Sequence, residues 1–388
     1  MSEPALGAAA MNELFNVAHA RPFSLLFTNY SFLLGLAGGV AVIWAANAWI
    51  GRRDTPGFRF AMPIVVGLIL AGFMNVLAEV EQPGRLIYGY LYGWTYGDSA
   101  IIKYGITLLP AFLALSWWLM FQALDPRALR ESVHRLPAPL RGIVGVIALW
   151  SWRYRLLDIP VLGTLVLIAV VLLGLFAQAY SGIFLMDEHG VALWNSPGQV
   201  ILFVATSIGG GAAVFVFVVP LLNKLAGGRW HRPARHYRWL MLGAALFAVL
   251  VWYTWLWWIS YFGDIENQRT AALLWGPYFG TVVWNVLVIG LVIPVLLLIT
   301  PLGRLITADV LAGLMILWGS YALRYLILIG GQALNRSGAG YLGFAPDQQV
   351  LWYTGVEALL GVSLIVLLGV LLPTTPAAGA EPVGRTTK

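Results

Sequence analysis

Two ionisable side chains interrupt stretches that are otherwise apolar. Arg324 lies in "WGSYALRYLILIGGQ" and Glu357 in "WYTGVEALLGV". Each falls about seven residues from the same end of consecutive apolar runs, roughly 10 Å deep at a rise of 1.5 Å per residue. On antiparallel neighbours they would form a buried ion pair, share a water cavity, or fix helix packing. Ionisable groups are costly in an apolar medium, so both are candidates for function. Glu79 and Glu81 close another run, with Asn75 four residues before Glu79 and therefore on the same helix face. A third group is "AYSGIFLMDEHGVALWNSP", residues 179–197, where Asp187, Glu188 and His189 stand in a row without Lys or Arg. Tyr180 precedes them, and Trp194 and Asn195 follow. Gln178 and Tyr180 fall at the end of the fourth run, Asn29 and Tyr30 at the start of the first, and Asn285 within the seventh. At the opposite ends, Asn47 and Asp309 are the main polar residues.

This inventory is rich in hydrogen-bonding groups, carboxylates and aromatic rings near one end of several runs. A quinone head group needs such a site. It wants two hydrogen-bonding groups for its oxygens, ring contacts, a proton donor or acceptor, and an apolar opening for its tail.

Composition narrows the other possibilities. Of 388 residues, 60% are hydrophobic and 10% charged, and the mean hydropathy is +0.80. A soluble domain of this size needs more charge to cover its surface. With no cysteine, the chain supplies no thiolate to an iron–sulfur cluster, no disulfide and no covalent c-type haem attachment. The five histidines are His19, His134, His189, His231 and His236. All are expected in tails or loops, which argues against a haem held by two histidines within the bilayer. The net charge of +6 belongs to membrane loops and not to a nucleic-acid surface. The N-terminus lacks the basic and apolar regions of a secretory signal; residues 11–20 suit a short interfacial helix. No phosphate loop, zinc-binding helix or nucleophile elbow is present.

The elements that would position these groups are transmembrane helices. Nine are expected, within a range of eight to ten, at 25–50, 60–78, 104–123, 157–178, 199–222, 239–261, 276–299, 308–331 and 350–372. The apolar stretch 142–150 is too short to cross. The fold class is all-α and polytopic, with two four-helix bundles, about 60–222 and 239–372, plus an extra helix. Residues 1–24 form an outer segment, 25–372 the transmembrane domain and 373–388 a disordered cytoplasmic tail. The 18 tryptophans, many near the ends of runs, suit interfacial belts. The glycine patches "FLLGLAGGVAV" and "SIGGGAAVF" suit close helix contacts. Placing loop 51–59 in the cytoplasm puts seventeen Lys and Arg inside and five outside, with Arg324 in a span. The positive-inside rule then sets the N-terminus outside and the C-terminus inside, so the polar groups near Tyr180 face outward.

Several segments resemble the NrfD/polysulfide reductase membrane-subunit family. "YSGIFLMDEHGVALWNSPGQVILFVATSIGGGAA" is similar to its Tyr-Ser/Thr-Gly helix end, Trp-Asn-small-Pro stretch and small-residue helix. "FTNYSFLLGLAGGVAV" is similar to its Gly-rich first helix. "AEVEQPGRLIYGYL" is similar to its acidic, Gly-Arg-Pro and aromatic segment, here with Gln-Pro-Gly-Arg. "GPYFGTVVWNVLVIGLVIPVLLL" and "LRYLILIGGQ" resemble later helices of longer members. The resemblance covers most of residues 24–331. It implies a membrane subunit of a respiratory complex with no haem or iron–sulfur cluster of its own. Its substrate would be menaquinone or ubiquinone, and its location the bacterial inner membrane. Its partners would be a periplasmic iron–sulfur protein and a molybdopterin or multihaem cytochrome subunit. It implies quinone contacts for Tyr180, Asn29, Arg85 and an acid at Glu79 or Glu81. Glu81, Arg324, Glu357 and Asp309 are the candidates for proton transfer or buried polar roles. The alternatives are a proton-translocating or scaffold subunit without quinone turnover, and a secondary transporter.

Overall fold

The computed structural model describes residues 23–52, 55–80, 82–96, 101–122, 141–142, 157, 159–187, 191–228, 230, 232–333 and 346–371. Among them are nine helices long and apolar enough to cross a membrane. They are α1 Leu25–Trp49, α2 Pro56–Glu79, α3 Ile102–Phe121, α4 Pro160–Met186, α5 Gly198–Leu225, α6 Arg235–Tyr261, α7 Gly280–Ile299, α8 Ile306–Ala333 and α9 Gln348–Gly369. No strand occurs among the described residues. The protein is an all-α, multi-pass membrane protein. Residues 11–20, most of 142–150 and the tail from 372 lie outside the described residues.

Local chemistry accounts for the helix ends. Ser24 caps α1 by accepting from the Leu26 N–H, and Thr55 caps α2 by accepting from Phe58, with Pro56 in the first turn. Gly51 ends the turn after α1 at φ 79°, a conformation that favours glycine. In α5 the helix breaks at Phe217. Pro220 has no N–H for the Val216 carbonyl, so the regular ladder cannot continue there. Helix α4 runs to Met186, eight residues past the expected end at 178. Its last two turns carry the polar residues Gln178, Tyr180 and Ser181 on the buried face, so the lipid-facing side remains apolar.

Helix α1 is the centre of the molecule. It touches α2, α4, α5, α8 and α9. One ring of contacts runs α1–α2–α3–α4, a second runs α5–α6–α7–α8, and α9 lies against α2 and α1 outside both. The bundles expected from the sequence, at about 60–222 and 239–372, are bounded differently, with α1 outside both and α9 within the second. Glycines explain the central position. Gly39 meets Ser207 and Gly211 of α5 so closely that a methyl would lie 2.7 Å from the Ser207 carbonyl carbon, and a methyl at Gly38 would lie 2.9 Å from Gln178 of α4. The two glycine patches thus pack against each other.

The end of the bundle where α1 begins is termed the upper end. Residues 23–24, 79, 332 and 354 meet there through hydrogen bonds. At the lower end, Arg52 meets His236, and Arg238 meets Asp309.

Candidate functional site

The upper half of α1 is surrounded by buried polar side chains. Thr28 and Ser31 of α1, Gln178 and Ser181 of α4, Asn75 of α2 and Glu357 of α9 are all buried. Thr28, Ser31, Ser181 and both amide atoms of Gln178 have no hydrogen-bond partner among the described residues. A helical serine or threonine can satisfy itself on a carbonyl one turn back, and Thr206 and Ser207 do so. Thr28, Ser31 and Ser181 do not. Buried polar groups are seldom left so, and water or a ligand is the usual remedy.

An aromatic layer lies over this region. Phe23 stacks on Phe27 at 4.3 Å, and Phe27 approaches Tyr30 at 5.7 Å and Phe184 at 5.8 Å. Tyr180 sits between Phe176 at 5.4 Å and Phe184 at 6.4 Å. Trp194, from the segment after α4, packs 5.7 Å from Phe23. Its indole N–H donates to the Ile327 carbonyl at 2.6 Å. Ile327 lies in a π-helical turn, Leu326–Gly330, where the widened ladder presents carbonyls to outside donors.

Tyr180 is 5% exposed. Its hydroxyl lies against Gly105 of α3, in the position a methyl at that glycine would take. Two residues earlier, Lys103 is buried, with its ammonium 5.4 Å from the Trp94 ring and 5.3 Å from the Tyr104 ring. Sequence reasoning counted Lys103 only as a loop cation. The signal that could have found it is the Trp and Tyr residues on both sides of it, which offer cation–π partners.

Asn29 is held by α8 and α9: its Oδ1 accepts from the Tyr321 hydroxyl at 2.8 Å, and its Nδ2 donates to Thr354 at 3.2 Å. Glu79 accepts from the Ser24 N–H at 2.5 Å and from the Ser24 hydroxyl. Its charge therefore sits at the N-terminus of α1, where the helix dipole favours an anion. Arg85 is exposed at the end of the short turn Pro83–Arg85. Tyr180 and Glu79 thus approach the upper half of α1, to which Asn29 itself belongs, and Arg85 stays on the surface. Glu81, Glu188 and His189 lie outside the described residues.

The expected pairing of Arg324 with Glu357 does not occur. Arg324 donates from Nη1 to the carbonyls of Ser31 and Phe32 at 3.2 and 3.3 Å, and from Nη2 to the Phe203 carbonyl at 3.1 Å and the Ser207 hydroxyl at 2.7 Å. The Phe203 and Phe32 rings lie 5.0 and 5.9 Å from the guanidinium. Arg324 therefore clips α8 to α1 and α5, whereas Glu357 faces α2. The two residues are consecutive in the chain's polar pattern, but Arg324 is bound by α1 and α5, and α9 packs chiefly against α2.

Asp309 is tied to Arg238 of α6 at the lower end, with Arg232 at 3.8 Å, and both arginines also donate to the Gly303 carbonyl. His236 belongs to the first turn of α6 and not to a loop, and it lies 3.2 Å from Arg52. A groove of about 500 Å³ runs between α5 and α6, lined by Ile201, Val204, Trp239 and Phe247, and the Trp239 indole N–H is the one polar side-chain group in its lining.

This polar upper half in a helical membrane protein coincides with a family match. The sequence fits the family model for polysulphide reductase, NrfD, over residues 13–335. The chain belongs to the NrfD family. Members of this family are generally the quinone-interacting membrane subunits of oxidoreductase complexes, and typically partner iron–sulfur and molybdopterin subunits. No curated protein matches the sequence. The matched region contains α1 to α8 and ends before α9.

Proposed function

We propose that this NrfD protein exchanges electrons between a membrane quinone and an iron–sulfur protein, with the quinone site in the upper half of the bundle. The upper end is the outer face of the bacterial cytoplasmic membrane, and the iron–sulfur partner docks there beside a molybdopterin or multihaem cytochrome subunit. The observation that carries this reading is the cluster of buried, unpartnered polar side chains around α1, under the rings of Phe23, Phe27, Tyr180 and Phe184. Hydroxyl and amide groups of Thr28, Gln178 and Tyr180 suit the oxygens of a quinone head, and aromatic faces suit its ring. Asn29 and Glu79 hold the neighbouring helix ends in place. Arg85 lies on the rim, facing a partner surface. Quinol oxidation releases two protons and two electrons. The chain contains no cysteine to hold an iron–sulfur relay, so the electrons pass to the partner, and the protons leave through the same outer face.

The test is Tyr180→Phe. Losing one hydrogen bond to the bound quinone, about 1.4 kcal/mol, lowers quinol-linked turnover about tenfold, while the yield of complex stays normal. Unchanged kinetics at normal yield would remove Tyr180 from the site. Gentle purification should also recover iron in a companion subunit; full quinol activity of this chain alone would overturn the partner assignment.

A further inference from the structure

Helix α9 lies beyond the region that defines the family, and it is mostly open to lipid. Along Gln348–Val366 only two residues are buried: Gly361 and Glu357. A peripheral helix that buries one large side chain, and makes it a carboxylate, has placed that group deliberately against its neighbours. The contacts of α9 fix where it points. A methyl at Gly361 would lie 2.9 Å from Cβ of Ala71, and Ile365 fills the space beside Gly67. The two helices are antiparallel. One turn further up, Glu357 therefore stands opposite Asn75 of α2.

Both residues carry an unsatisfied buried oxygen: Oε2 of Glu357 and Oδ1 of Asn75. The orientation of the Asn75 amide is settled by its other half, because Nδ2 donates to the Ala71 carbonyl at 2.9 Å, which only accepts. Asn75 thus presents an acceptor to the seam. An ionised Glu357 would add a second acceptor and a charge. A protonated Glu357 supplies the missing donor, and one hydrogen bond satisfies both oxygens. Among the described residues, no cation is paired with Glu357. The titratable groups on the described helices against α9 are Tyr30 of α1, Glu79 of α2 and, at the far lower end, Arg59 of α2 and Lys224 of α5. Glu79 is engaged by Ser24, and Arg324 is spent on α1 and α5.

We propose that α9 adds a proton-loading site to the upper half of the bundle. Glu357 is held there as a neutral carboxylic acid that donates to Asn75 and releases its proton upward, toward Glu79 one turn above Asn75 and the outer surface. In quinol oxidation it would take up a proton leaving the quinol and pass it on, with no change in electron count. That the proton comes from quinol rests on the function proposed above; that Glu357 holds one does not.

Infrared spectroscopy of the purified complex separates the two. The carbonyl stretch of a protonated carboxyl group is distinct from carboxylate bands and shifts in heavy water. The wild type should show such a band, and Glu357→Gln should lose it. Asn75→Leu should keep the band but move it to higher frequency, since the hydrogen bond is gone. That variant also serves if Glu357→Gln assembles poorly. A wild-type spectrum whose protonated-carboxyl bands all persist unchanged in both variants would overturn the proposal. In cycles of quinol reduction and reoxidation the Glu357 band should diminish and return. A band that stays constant while Tyr180→Phe still slows turnover would overturn the exchange with quinol and leave the quinone site standing.

Discussion

A guanidinium buried in a bilayer with no carboxylate beside it is the feature of this protein hardest to rationalise at the residue level. Arg324 is 1% exposed. It persists because three backbone carbonyls, the Ser207 hydroxyl and two aromatic faces surround it, so that its charge is spread over many weak acceptors. Asp309 shows the other solution, a direct ion pair with Arg238, and its position decides what it does. It sits at the lower end with Arg238 and Arg232, away from the unpartnered groups around the upper half of α1. We therefore expect Asp309 to serve as a tie between α6 and α8 rather than as a proton carrier. Asp309→Asn leaves the Arg238 charge without its partner and should lower stability by about 2 kcal/mol, toward the low end for buried pairs because the arginines reach water. The measurement is the thermal midpoint of the detergent-solubilised complex, set beside quinol turnover per assembled complex. The midpoint should fall and the turnover stay within about twofold, a difference under 1 kcal/mol. A large loss of turnover with a normal midpoint would show that Asp309 carries protons after all.

Between helices, the spacing is set by glycine. The Arg324 side chain lies across Gly35, where a methyl would meet its Nη2 and the Ser207 Oγ at 2.6 Å. Gly35→Ala should therefore displace the clip that joins α1, α5 and α8. Overpacking of this kind costs about 1–3 kcal/mol. In a double-mutant cycle with Arg324→Gln, the second change should add little to the first, because both remove the same contact. Full additivity of the two midpoint shifts would mean that the clip does not depend on Gly35. That glycine patches mark close contacts is legible in the sequence, since only small residues let helix backbones approach. The element boundary that sequence misplaced, the end of α4, was missed for a physical reason. Averaged hydropathy falls where Gln178, Tyr180 and Ser181 appear, yet those side chains point inward and the helix simply continues to Met186.

Across the whole molecule, hydropathy reports which segments cross a bilayer but not which of them touch. The nine crossings could be counted from apolar runs, and eight of the helices fall in the region that identifies the family. Partnership could not be read in the same way. Arg324 and Glu357 occupy equal depths on consecutive helices, and equal depth suggested contact, but Arg324 is bound by α1 and α5. The candidate site has the same limits: Tyr180, Asn29 and Glu79 stand out by residue type and position, whereas Gly105 matters only through Tyr180, a neighbour distant in sequence. Orientation is a property of the whole chain, because it depends on the sum of loop charges and not on any one contact. The lower end carries Arg52, Lys224, Arg232, Arg235 and Arg304, and the upper end is poor in cations, so the lower end should face the cytoplasm. The absence of cysteine makes this directly measurable. Gln82 and Lys224 are both exposed, at the upper and lower ends respectively. In intact cells stripped of their outer barrier, a membrane-impermeant maleimide should label Gln82→Cys at once and Lys224→Cys only after the membrane is opened. Each single substitution changes the loop charge bias by at most one of seventeen inner cations, too little to invert the chain. The reverse labelling pattern would put the quinone site and its electron-accepting partner on the cytoplasmic side, and the protons of quinol oxidation would then be released inward.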